Sequence, residues 1–275
     1  MLRQLHLAAL VAAALHVPGG IAGTLGEAER ARLLAAYPGF LRGIEGDDLV
    51  WRDGTRMPLD DKKGAKGFEA WLDDPDIEDM LAVPYPAGAA ALPPANNVDP
   101  GRARNKAFFD KVYGDCRRGE VEPKLVRVPW LPKRSKQRLP FNRENGAAEA
   151  LAAVSRELDA LPDTLDVFLV PSAGTYNCRV IAGTSRVSAH GHGIAIDIAL
   201  KRAHYWRDAA KGKDGAVTFR NEIPVEIVRI FERHGFIWGG RWYHYDTMHF
   251  EYRPELVGVL GAGASGEAVG PEGEK

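Results

Sequence analysis

The chain has 275 residues, 45% of them hydrophobic and 27% charged, with 36 Lys+Arg against 37 Asp+Glu. That is the composition of a globular protein with enough chain for a sizeable core; it excludes a collagen-like, disulfide-framework or wholly disordered chain. A formal net charge of -1 gives no global attraction to nucleic acid or to an anionic membrane.

Residues 1–23 read as a signal peptide. Arg3 supplies a positive charge, and Leu7–Leu15 is an apolar run shorter than the ~20 residues of a membrane span. Pro18, Gly19, Gly20, Ala22 and Gly23 follow, small residues that suit a signal peptidase. The expectation is an exported protein, periplasmic or extracellular, soluble and without a transmembrane segment once the signal is removed. In such a compartment Cys116 and Cys178 could pair or stay as free thiols, and the sequence leaves both open.

Glu27–Ala36 has helical apolar spacing and ends at Tyr37-Pro38-Gly39. Leu49–Leu59 reads as a hairpin around Asp53-Gly54. Phe68–Leu81 reads as two helices broken by Pro75. Tyr85–Gly101 is a connecting loop, Ala103–Tyr113 a helix and Leu125–Trp130 a strand. The six basic residues of Lys124–Arg138 read as a solvated loop face, and no nucleic-acid partner is expected. Ala147–Leu161 is a helix with Leu151, Val154, Leu158 and Leu161 on one stripe. Val167–Val170 reads as a short strand. Ile223–His234 reads as a helix capped by Asn221, with Pro224 in its first turn and Gly235 after its end. Residues 259–275, mostly Gly, Ala, Ser and Glu, read as a disordered tail.

The chemistry concentrates in two stretches. In Ser188–Ile198, a period of two from Ile194 puts Ile194, Ile196 and Ile198 on one face and Ala195 and Asp197 on the other. His190 lies just before, at a glycine-flanked turn. In Trp242–Tyr252, Met248 and Phe250 alternate with His249 and Glu251, and Asp246 stands three residues before His249. Two histidines and one aspartate make a three-ligand Zn²⁺ site with a position open for water, and imidazole nitrogen favours zinc over Ca²⁺ or Mg²⁺. Asp246 is placed to act as general base. Each residue also has a plain structural reading: a satisfied loop histidine, a cap or salt-bridge aspartate, a core histidine. Physical reasoning from the residues alone leaves both open.

The combination of Ser188, His190, Gly193, Ala195 and Asp197 with a later Asp246, Met248 and His249 resembles the zinc D-alanyl-D-alanine carboxypeptidase family, the VanY-like group with the Hedgehog/DD-peptidase fold. The resemblance runs from about Ser172 to Leu256 and includes Arg179–Thr184 and Gly235–Gly240. It implies an α+β fold in which a small antiparallel sheet carries the site and helices pack on its other face. A mainly helical N-terminal extension (24–145) would precede a catalytic domain (146–258). His190, Asp197 and His249 would be the zinc ligands and Asp246 the base. Arg179, with Arg186 as rival, would steady the substrate, and Ser188 would hydrogen-bond within the substrate site; Trp242, read from its residue type, is open between walling the substrate groove and packing in the core. His192 stays outside the metal set, and His244 is open between a site-lining and a surface role.

The implied substrate is a peptidoglycan stem peptide. Three activities fit: removal of a terminal D-alanine, cleavage of the L-alanyl-D-glutamate bond, or binding by a non-catalytic zinc-stabilised module.

Overall fold

A computed structural model describes residues 21, 24–90, 93–181, 183–212 and 215–257. Apart from Ile21, the expected signal segment lies outside the described residues, as does the expected tail. Among the described residues no helix is long and apolar enough to cross a membrane.

The chain begins with helix α1 (Glu27–Ala36), then a three-stranded antiparallel sheet of β1 (Leu41–Glu45), β2 (Asp48–Trp51) and β3 (Arg56–Pro58). The expected hairpin is present as β2–β3, with Asp53 Oδ1 accepting the Thr55 N–H at 3.0 Å in its turn; β1 is a third strand that alternation did not reveal. Helices α2 (Phe68–Asp73) and α3 (Ile77–Leu81) flank Pro75 as expected. Asp76 caps α3, its side chain accepting from Asp79 N while Asp79 reaches back to the Asp76 N–H.

Helix α4 (Lys106–Tyr113) starts three residues later than its apolar spacing suggested, because Asn105 caps it and accepts the Phe108 N–H at 2.9 Å. Arg104 is thereby left outside the helix.

Strands β4 (Leu125–Pro129) and β5 (Arg138–Asn142) form an antiparallel hairpin, so the basic segment is not simply a solvated loop. Arg134 in its connection is buried and pairs with Asp166 at 2.6 Å. Helix α5 (Ala147–Leu158) buries Leu151, Val154 and Leu158 against this hairpin. Residues 166–169 are a helical turn, α6 (Asp166–Leu169), rather than a strand. Four apolar residues cannot distinguish the two periods, and the Trp130 Nε1–H closes the turn on the Leu169 carbonyl at 3.0 Å.

The last sheet has the order β6-β8-β7, all antiparallel, from β6 (Ala195–Asp197), β7 (Phe236–Trp238) and β8 (His249–Tyr252). Helix α7 (Val225–Arg233) packs on β7 and buries Ile227, Val228, Ile230 and Phe231. Each such side chain contributes about 1.5–3 kcal/mol of transfer free energy. Phe231 stacks on Phe250 of β8 with ring centroids 3.9 Å apart. Asn221 does not cap α7; Pro224 is the N-cap residue, and the Asn221 side chain accepts from Ile223 N at 2.8 Å. Gly235 takes the positive φ that ends the helix.

A short helix, α8 (Pro254–Val257), closes the described chain and packs on α1. The architecture is α+β, with small antiparallel sheets, packed helices and a helical N-terminal region. One contiguous buried cluster runs from Leu25 through Phe108, Leu151 and Phe231 to Leu256. The extension and the last sheet therefore share a core.

Candidate metal centre

The period-two reading holds in three dimensions. Ile194, Ile196 and Ile198 are fully buried in the core. Asp197 on β6 sits directly opposite His249 on β8. Residues opposite one another in an antiparallel pair share a face, with Cβ atoms ~5 Å apart. This register brings together two residues 52 positions apart in sequence.

His190 reaches them from a 3-10 turn over Ala189–His192. Ser188 caps this turn through its Oγ, which accepts the His190 N–H at 3.4 Å. Gly193 leaves it in the left-handed conformation. A Cβ on Gly193 would also lie 2.8 Å from Leu125 Cδ2, but that side-chain end can move; the positive φ is what calls for glycine.

His190 Nε2 lies 3.2 Å from Asp197 Oδ2, and His249 Nδ1 lies 3.0 Å from Asp197 Oδ1. One donor atom from each of the three residues falls within 4.8 Å of the others. The remaining ring nitrogens are occupied: His190 Nδ1 donates to the Thr175 carbonyl, and His249 Nε2 faces Glu251 Oε2 at 3.3 Å. These outer contacts orient both rings so that His190 Nε2 and His249 Nδ1 converge with the carboxylate. Two imidazoles and one carboxylate, half-buried or better, suit Zn²⁺ and leave a coordination position open. The other cluster of potential ligands among the described residues, Asp60, Asp61 and Asp76, is already paired with lysines: Lys66 lies 2.8 Å from Asp61 and 3.4 Å from Asp76, and Lys62 lies 3.5 Å from Asp60.

Electrostatics mark the same place. Burial works against the Asp197 carboxylate, but hydrogen bonds from His190 and His249 hold its pKa well below the usual range. Burial likewise opposes a charged His249, yet its bonds to Asp197 and Glu251 push the pKa up to about 10. Asp246 sits one turn before β8, its carbonyl accepting the His249 N–H at 3.3 Å. Its Oδ1 is buried and has no hydrogen-bond partner among the described residues. Burial, helped by the charge of Asp197, raises its pKa to about 6.

The other expected site residues divide. Trp242 is buried with its ring 5.5 Å from that of His249, and its Nε1 donates to Pro100 O at 2.7 Å. Arg179 is exposed, and its guanidinium has no hydrogen bond or ion pair among the described residues. Arg186 is mostly buried, 3.1 Å from Asp73, and lines a cavity of about 370 Å³ with Arg102 and Arg104. His192 is buried, with Nδ1 donating to Gly114 O at 3.1 Å, and is not in the cluster. His244 is half-buried, with Nδ1 2.7 Å from Asp99. Cys116 and Cys178 are joined in a disulfide. The reading of the residues missed Glu251, whose place beside His249 in the polar phase of β8 was the available signal.

A family model described as D-alanyl-D-alanine carboxypeptidase matches residues 182–252. This segment is similar to a metal-peptidase family. It covers about a quarter of the chain and contains His190, Asp197, Asp246 and His249. No curated protein and no solved structure matches the chain.

Proposed function

We propose that this protein is an exported zinc-dependent peptidase that hydrolyses peptidoglycan stem peptides, removing a terminal D-alanine. The observation that carries the reading is the convergence of His190, Asp197 and His249 near Asp246, whose buried Oδ1 has no hydrogen-bond partner among the described residues. A site that only stabilises a fold closes its metal with four protein ligands and has no use for a free base.

A zinc ion held there supplies Lewis acidity, polarising the scissile carbonyl and making water acidic enough to attack near neutral pH. His190 and His249 keep neutral nitrogens directed at it, and Asp197 balances part of its charge. Asp246 Oδ1 takes the proton of the attacking water and passes it to the leaving amine. Its raised pKa keeps the carboxyl poised for both halves of that transfer. Arg179, whose guanidinium has no partner among the described residues, is available to a substrate oxygen, a contact of the kind worth about 3 kcal/mol in a transition state. Arg186 is engaged with Asp73 and is the weaker candidate. Trp242 walls the site beside His249, and Ser188 holds the turn that presents His190.

The test is incubation of the purified, zinc-loaded chain with defined stem pentapeptides and mass spectrometry of the products. Loss of one alanine supports the proposal. A product cut between L-alanine and D-glutamate reassigns the bond. No cleavage of either kind removes the peptidase reading.

A further inference from the structure

His249 lies between two carboxylates. Nδ1 faces Asp197 at 3.0 Å and Nε2 faces Glu251 at 3.3 Å. Glu251 is two residues further along β8 and so projects from the same face of the strand. It is completely buried. A buried carboxylate is costly unless its charge is compensated and its oxygens are bonded. Here Arg104 does both. Its Nε lies 3.2 and 3.1 Å from the two Glu251 oxygens and its Nη2 lies 2.5 Å from Oε2. Arg253 adds one contact at 3.2 Å.

Arg104 is itself held in place. Its side chain is almost fully buried, and Nη1 donates to the Arg102 carbonyl at 3.2 Å. It can reach Glu251 because Asn105 caps α4, which begins at Lys106 and leaves Arg104 outside the helix. It lies 78 positions before the segment that is similar to the carboxypeptidase family.

We infer that Arg104 is a positioning residue of the metal centre, acting through Glu251 on His249. An anionic Glu251 accepts the Nε2 proton of His249. With a metal in place of the Nδ1 proton that Asp197 otherwise accepts, this leaves the Nδ1 lone pair directed at the cluster formed with His190 and Asp197. Arg104 holds both Glu251 oxygens by a forked contact that lysine cannot reproduce, and so fixes the carboxylate against His249 Nε2. The extension thus completes the metal site rather than only covering it. The inference rests on the metal site proposed above.

The test uses the full chain with Arg104→Gln, Arg104→Lys, Glu251→Gln and His190→Ala, and Zn²⁺ as the probe. Affinity is measured by competition with a chromophoric chelator, and the His249 ring nitrogens are followed by ¹⁵N NMR. Loss of an outer-shell partner of a ligating histidine weakens metal binding about 10- to 100-fold. Arg104→Gln and Glu251→Gln are expected in that range, and Arg104→Lys between them and the parent. The parent is expected to show His249 ligated through Nδ1 with a protected proton on Nε2, and Arg104→Gln to lose that protection. A folded Arg104→Gln with parental affinity and parental ring shifts overturns the inference. If Arg104→Gln does not fold, parental affinity in Arg104→Lys overturns it. Parental affinity in His190→Ala overturns the metal site itself, a failure distinct from that of Arg104.

Discussion

Cys116 and Cys178 are bonded across 62 residues, and the bond fastens the N-terminal extension to the loop that leads into His190. Cys116 Sγ also lies 3.3 Å from where a Cβ of Gly191 would stand, between the two histidines of the metal turn. The cross-link therefore abuts the turn it supports. Closing a loop of this length restricts the unfolded chain and contributes about 2–4 kcal/mol. The double variant Cys116→Ser/Cys178→Ser is expected to lose stability by that amount in urea unfolding, and a reducing agent to destabilise the parent but not the variant. Equal midpoints for the oxidised parent and the variant would show that the bond does not stabilise the fold.

The same turn shows what was legible in the sequence and what was not. The alternation of Ile194, Ile196 and Ile198 placed Asp197 on a polar strand face, and β6 follows it. That His249 would sit opposite Asp197 is a matter of register between distant strands, which no local pattern encodes; the resemblance supplied that pairing. Helix α1 was readable from end to end because Gly26 and Tyr37-Pro38 punctuate it. Residues 166–169 were not, because four apolar residues fit either period. Arg104 was read as part of a helix. Its contact with Glu251 depends on the Asn105 cap and on chain 147 positions away.

Gly239, in the Gly235–Gly240 stretch, has a spatial reason to lack a side chain. A Cβ there would lie 2.5 Å from the Asp246 carbonyl oxygen, 3.1 Å from the Trp242 ring and 3.3 Å from His249 Cβ. The first of these is backbone and cannot step aside cheaply. Gly239→Ala is expected to displace Asp246, to lower kcat at least tenfold, and to cost about 1–3 kcal/mol of stability through overpacking. Steady-state kinetics with a stem peptide and urea unfolding read the two effects. Parental kcat would mean that the position of Asp246 does not control turnover.

Metal binding carries a proton balance of its own. In the metal-free site His249 holds its proton up to about pH 10, secured by Asp197 and Glu251. A metal at Nδ1 must displace a proton, so affinity rises with pH across the neutral range, about tenfold per unit for one proton released. The same pairing stabilises the metal-free fold. The His249 contribution is complete below its unfolded pKa of ~6.5 and is lost as pH rises through about 10. The Asp197 contribution is present above ~3.9 and is lost as pH falls through its depressed value. Calorimetric Zn²⁺ titration at pH 7 in buffers of different ionisation enthalpy measures the released proton; no release would place the ligand set elsewhere.

Asp246 offers the sharpest separation of function from stability. Its Oδ1 is buried with no partner among the described residues, and its pKa is raised to about 6 by burial and by the charge of Asp197. A carboxyl whose folded pKa exceeds its unfolded value of ~3.9 weighs on the folded state once pH passes that value, and the whole penalty is in place above about 6. In the metal-free protein Asp246→Asn removes the charge and is expected to raise stability at pH 7.5 by about 3 kcal/mol. The gain should shrink towards zero near pH 3, where the parent carboxyl is largely protonated in both states. The same substitution removes the proton acceptor, so kcat is expected to fall about 10²- to 10⁴-fold with zinc still bound. Urea unfolding of the two metal-free proteins at both pH values, together with peptide hydrolysis by the zinc-loaded forms, tests both halves. A variant that is less stable at pH 7.5 would contradict the burial argument, and one that still hydrolyses the peptide at the parental rate would remove Asp246 from the role of base.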